Sequence, residues 1–130
     1  GLQHILDVTF CSGSQVTTWY VGLAGSSPSP AAGDTLASHG GWTEFTNLSS
    51  ARISWGMTRS SQTVSNSSAL EFTVNADTQT VGGAFVCSAA SGTSGTLVCA
   101  AAFTGGDKSG LMTNDVLNVT YSFTAADDGA

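Results

Sequence analysis

The chain has 130 residues, a length that suits one domain with a real core, and 41% of them are hydrophobic. Only 9% are charged, against about 25% in soluble domains, so Ser, Thr, Gly and Asn must cover much of the polar surface. The net charge is −6 with three basic residues, Arg52, Arg59 and Lys108. That is too few to neutralise a nucleic-acid backbone, and no apolar run approaches the ~20 residues of a membrane-spanning helix.

The opening GLQHILDVTF sets Leu2, Ile5 and Leu6 at helical spacing, with Phe10 one turn on. It predicts a short N-terminal helix or docking arm over residues 1–12. Strands follow. Trp19, Val21 and Leu23 alternate with Thr18, Tyr20 and Gly22. The segment Gly25 to Gly41 holds both prolines and reads as an extended surface loop, with Asp34 capping a single helical turn through Ser38. Ala51, Ile53, Trp55 and Met57 form the next alternating run, continuing to Arg59, and Leu70, Phe72 and Val74 another. Period-two alternation places one face on a core and the other in water or against a partner.

TVGGAFVCS and TLVCAAAF are apolar on both faces, which predicts central strands or strands with a covered outer face. The glycine-serine turn between them, if symmetric about Thr93, sets Cys87 opposite Cys99 and Phe85 opposite Ala101. Leu117, Val119, Tyr121 and Phe123 make the last alternating strand, and residues 125–130, with Asp127-Asp128, read as a flexible acidic tail. Seven or eight short strands with Gly, Asn and Ser turns predict one all-β domain, a two-sheet β-sandwich. A jelly roll is preferred, with an immunoglobulin-like order second.

No residue cluster predicts chemistry. GGDKSG, Gly105 to Gly110, has Asp107 where a phosphate loop needs glycine before its lysine, and a strand where it needs a helix. It reads as a turn. His39 has Asp34 and Glu44 five residues away on either side, which fits neither strand nor helix ligand spacing. No G-x-S-x-G elbow accompanies the many serines. Glu44 and Glu71, the only glutamates, read as solvent-facing strand residues. Trp19 and Trp55 fall on apolar phases and read as core, whereas Trp42, after a glycine pair, reads as exposed. Three cysteines without CxxC spacing are no disulfide framework and suit a reducing compartment. The expectation is no catalytic residue, no cofactor and no metal.

The stretches WYVGLAGSSPSPAAGDTLASHGGWTEFT, FTVNADTQTVGGAFVCS and AAFTGGDKSGLMTNDVLNVTYSFT resemble the small capsid cement or decoration proteins of tailed bacteriophages, of the Bordetella-phage type. The likeness runs from about Trp19 to Thr124. It implies a jelly-roll sandwich on the outside of an icosahedral head, assembled in the host cytoplasm and tying neighbouring copies of the major capsid protein together. A carbohydrate- or receptor-binding module of a phage tail or fibre is the alternative. A surface so short of charge favours association with other protein, so a homodimer is expected, with a trimer as the alternative. Expected contacts are the arm (Leu2, Ile5, Leu6), Trp42, and an edge bearing Arg52 and Arg59, whose guanidinium groups could bridge carboxylates bidentately.

Overall fold

The structure is a computed structural model that describes residues 2–126, with side chains from Gln3 onward. The acidic pair Asp127-Asp128 lies outside the described residues. One helix, α1 (Leu2–Phe10), precedes twelve strands among the described residues, and every strand pairing is antiparallel. The expected all-β, sandwich-like architecture with a short N-terminal helix is what the chain adopts.

The first sheet is built on β1 (Tyr20–Ala24) and β8 (Gly83–Cys87), which pair along their full lengths. Two short strands, β2 (Glu44–Phe45) and β3 (Arg52–Ser54), share the far side of β1, and β9 (Leu97–Ala102) lies beyond β8 as an edge. Opposite lie β4 (Met57–Ser60), β5 (Thr63–Asn66) and β12 (Ser122–Thr124), with β6 (Leu70–Thr73) paired to β11 (Val116–Val119). A further pair joins β7 (Gln79–Val81) to β10 (Lys108–Leu111). The core lies between the inner faces: Val21, Leu23, Ala84 and Val86 from the first sheet meet Leu70, Phe72 and Val119 from the second. Burying each such side chain contributes about 1.5–3 kcal/mol.

Two of the expected long strands are broken. The run Ala51–Arg59 stops at Trp55-Gly56, so β3 pairs with β1 whereas β4 pairs with β5. The run Leu117–Thr124 stops at Thr120-Tyr121, so β11 pairs with β6 and β12 with β5. Alternation survives both breaks because Trp55 and Tyr121 still point into the core, with their rings edge to face at 5.9 Å. Asn66 fills the gap in the second ladder: its Oδ1 accepts from Trp55 Nε1 at 2.8 Å and from the Tyr121 N–H, and its Nδ2 donates to the Val119 carbonyl. Backbone groups orphaned by a break are costly unless paired in this way.

The strands that are apolar on both faces have a cover supplied by the chain itself. Gly25–Gly41 is not a surface loop alone; with Trp42 it folds over the outer face of the first sheet. Leu36 and Trp42 pack there against Ala24, Phe85, Cys87 and Leu97. β1 is therefore buried on both faces from Val21 to Ala24, where simple alternation predicted one wet face. Glycine makes two of these approaches close: a Cβ on Gly22 would lie 2.4 Å from the Phe85 ring, and one on Gly41 2.0 Å from the Ser29 carbonyl oxygen. The expected helical turn after Asp34 is a tight turn instead, with a bridge between Thr35 and Ser38. Asp34 caps the preceding turn, its carboxylate accepting from the Ala31 N–H at 2.9 Å.

The hairpin β8–β9 is one residue off the symmetric register. Val86, not Cys87, faces Cys99, and Phe85 faces Ala100 rather than Ala101. A bulge at Val98 then shifts the register one residue further, so that Cys87 faces Leu97. One residue of slip reverses the face a side chain takes. Cys87 accordingly packs with Trp42 and Phe85 on the outer side, and Cys99 packs against the inner core, where the Tyr121 hydroxyl donates to its sulfur at 3.2 Å. All three thiols are free, and burial pushes both the Cys87 and Cys99 thiols up. Alkylation of the native protein at neutral pH is expected to label exposed Cys11 alone, and denaturant to reveal two more thiols. Two fast-reacting thiols in the native state would contradict this packing.

Candidate functional site

Arg52 and Glu44 are brought together by β1. Arg52 pairs with Gly22 and Glu44 with Ala24. Positions two apart on one strand share a face, so both side chains rise from the outer face of the sheet. Arg52 Nε and Nη2 grip the two Glu44 oxygens at 2.8 Å each. The remaining donors reach the carbonyls of Ala89 at 2.9 Å and Gly92 at 2.8 Å, in the turn between β8 and β9. The guanidinium also lies 5.4 Å from the centre of the Phe85 ring. Its side chain is 3% exposed, and the Glu44 carboxylate holds it charged, above its ordinary range.

Arg52 therefore fastens the hairpin turn to the sheet and has no free fork for a partner, contrary to the expected contact edge. Glu44 is likewise engaged rather than solvent-facing. Arg59 remains exposed on β4, where its Nη1 donates to the Ser61 carbonyl at 2.8 Å.

Trp42 is 5% exposed, against the expectation of an exposed anchor. His39 stacks on it at 3.7 Å with the planes 9° apart. His39 Nδ1 lies 2.9 Å from the Trp42 carbonyl oxygen, so that nitrogen carries the proton and donates. The Trp42 indole N–H is buried and has no hydrogen-bond partner. Both aromatic rings serve the cover over the first sheet. The GGDKSG stretch is the turn it was expected to be: Gly106 takes a φ of 81°, its N–H donates to the Phe103 carbonyl, and the Asp107 carboxylate accepts from the Ser27 hydroxyl.

Exposed apolar side chains stand at Met112 and Val116, and more of them gather at the N-terminal helix. Leu6 and Phe10, four residues apart on one face of α1, are 53% and 76% exposed, and Ile5 is 38% exposed. The side chain of Leu2 lies outside the described residues. Beneath α1 runs a groove of about 220 Å³ lined by Ile5, Trp19, Met57, Val64, Val98 and Phe123. The His4 ring meets Trp19 edge to face at 5.5 Å. The helix ends where the N–H groups of Cys11 and Gly13 fold back onto the Asp7 carbonyl and Ser12 turns the chain at φ 59°. From Ser14 to Thr18, in the strap that joins α1 to β1, no hydrogen bond among the described residues ties the chain to the sheets.

The structure brings Ile5 and Leu6 to one surface and draws Trp42 and Arg52 away from it. Met57, Val64 and Phe123 complete the groove; alternation marked Met57 and Phe123 as core, and Val64 lies in a stretch where no strand was expected. Among the described residues no group of three His, Cys, Asp or Glu side chains could hold a metal. No helix among them is long and apolar enough to cross a membrane. No protein-family model matches the chain, and no curated protein matches it either.

Proposed function

We propose that this chain is a structural virion protein, a cement that binds the outside of an assembled phage head and stabilises contacts between major capsid subunits. The observation carrying this reading is the exposed apolar helix face of Leu6 and Phe10 beside an apolar groove, in a chain with 9% charged residues. The resemblance of AAGDTLASHGGWTE and AFTGGDKS to head-decoration proteins supplies the partner. Strands apolar on both faces add nothing to it, since the chain covers them itself. Of the tryptophans that a carbohydrate-binding alternative could use, Trp42 and Trp55 are buried, and Trp19 is half-buried against the apolar groove.

A ligand that binds the assembled shell and not its separated subunits stabilises the shell by mass action. Attachment through Ile5, Leu6 and Phe10 is apolar, worth about 25 cal/mol per Å² buried. Exposed ion pairs contribute only about 0–1 kcal/mol each, and Arg52 has none to offer a partner. Heads lacking the protein should therefore assemble yet release DNA at a lower temperature, and added salt should strip little protein from complete heads. Thermal DNA release from heads with and without the protein, at low and high salt, measures both. An unchanged release temperature overturns the cement role. Ready stripping by salt overturns the apolar mechanism.

A further inference from the structure

β9 is the longest strand among the described residues and forms an open edge of the first sheet. Its sequence, Leu-Val-Cys-Ala-Ala-Ala, has no charged residue and no proline. Edges elsewhere are blunted. β4 carries Arg59, β10 carries Lys108, β2 and β3 are two and three residues long, and β11 and β12 are separate short pieces. Natural proteins use charge and brevity in this way to prevent strand addition, and β9 has neither.

The Phe103 N–H donates to the Gly82 carbonyl at 2.9 Å, which sets the phase of the ladder. Antiparallel strands bond alternately inward and outward. Cys99, Ala101 and Phe103 therefore bond to the β8 side, and Ala100 and Ala102 direct their N–H and C=O groups outward. No hydrogen bond from the described residues reaches those outward groups. The first half of β9 is flanked by α1 at Val98 and Cys99 and by the Pro30–Asp34 turn. In the second half Ala100 borders that turn, and Ala101 and Ala102 are exposed at an open pocket whose far wall is Val119–Ser122.

We infer that Ala100–Ala102 pairs antiparallel with the same segment of a second copy, about a two-fold axis through Ala101, joining two first sheets into one. The segment reads the same in both directions, so a two-fold sets Ala100 against Ala102 of its partner strand and Ala101 against itself. Each Ala100–Ala102 pair exchanges two backbone hydrogen bonds. A charge at position 101 would meet its own kind across the axis, where like charges are destabilising, and β9 carries none. An isologous contact of this kind closes at two copies and leaves only the short β2 and β3 strands at the outer ends of the joined sheet. Self-pairing is tested on the purified chain, so its failure and that of the capsid reading are separate results.

Sedimentation and light scattering of the purified protein should give twice the 13.1 kDa chain mass. Ala101→Asp opposes two carboxylates at the axis and should weaken the dimer at least tenfold with the far-UV spectrum unchanged. Ala100→Pro with Ala102→Pro removes only donors that point away from β8, and should do the same. In a Cys11→Ser background, Ala101→Cys should form an intermolecular disulfide under mild oxidation. Residues facing each other at a non-hydrogen-bonded site lie about 4.5 Å apart at Cα, within disulfide reach. A wild-type monomer throughout the micromolar range overturns the inference. So does a dimer that ignores Ala101→Asp, or an Ala101→Cys chain that does not cross-link. Should the proline variant fail to fold, the aspartate and cysteine variants decide the matter alone.

Discussion

Arg52→Ala is expected to lower the thermal midpoint by about 10 °C. Breaking a buried ion pair from one side costs about 3–5 kcal/mol, because the remaining charge stays desolvated and unpaired. The lower figure applies here, since Glu44 keeps 23% of its side-chain surface in water. A domain of this size loses about 4 °C per kcal/mol. The substitution also strips the Ala89 and Gly92 carbonyls of their donor, which frees the turn between β8 and β9. Arg52→Lys keeps the charge but not the planar fork and should fall between the two. Arg59→Ala, on an exposed strand, should change stability by no more than about 0.5 kcal/mol, or about 2 °C in the midpoint. Calorimetry of the three variants separates the roles of the two arginines. Equal effects at both positions would show that the Arg52 cluster holds nothing together.

Leu6→Asp with Phe10→Asp is expected to reduce head occupancy at least a hundredfold, with the melting curve unchanged. Both side chains already face water, so the fold loses little by the exchange. Burial on a partner would be worth about 1.5–3 kcal/mol for each, and placing a carboxylate there instead opposes binding further. Two such losses amount to a hundredfold or more in affinity. Occupancy is read from the band ratio of this protein to the capsid subunit in purified heads. Wild-type occupancy by the double variant would move the attachment site off the helix.

The strands of this chain were legible because their side chains obey a period of two. Leu70, Phe72 and Val74 are buried where the alternation places them, and so are Val119 and Tyr121. Periodicity does not record which neighbour a strand hydrogen-bonds. The crossings at Trp55-Gly56 and Thr120-Tyr121 leave the pattern intact, and hence were invisible. Arg52 and Glu44 meet only because two different strands dock side by side on β1. The register of the β8–β9 hairpin depends on where the turn after Cys87 reverses the chain and on a one-residue bulge at Val98, neither of which the glycines and serines announce. Trp42 was misjudged for a related reason: a glycine pair before an aromatic suggests a surface turn, and nothing local tells that the turn closes over a sheet.

The strap from Cys11 to Trp19 gives the helix a reach of its own. Nine residues, fully extended at about 3.3–3.6 Å each, span about 30 Å, as far as a small domain is wide. Among the described residues no hydrogen bond or ion pair ties α1 to the sheets. It rests on the groove contacts, the His4–Trp19 ring pair and a cleft shared with Ala32–Thr35 and Gly95–Leu97, so a competing surface has little to displace. Under the proposed head attachment, a sandwich resting on the shell would hold the helix at an effective concentration in the millimolar range rather than the bulk one. A body with one tethered hook can thus accept a lattice whose subunits differ slightly in spacing, because the slack is taken up by the strap and not by the sheets.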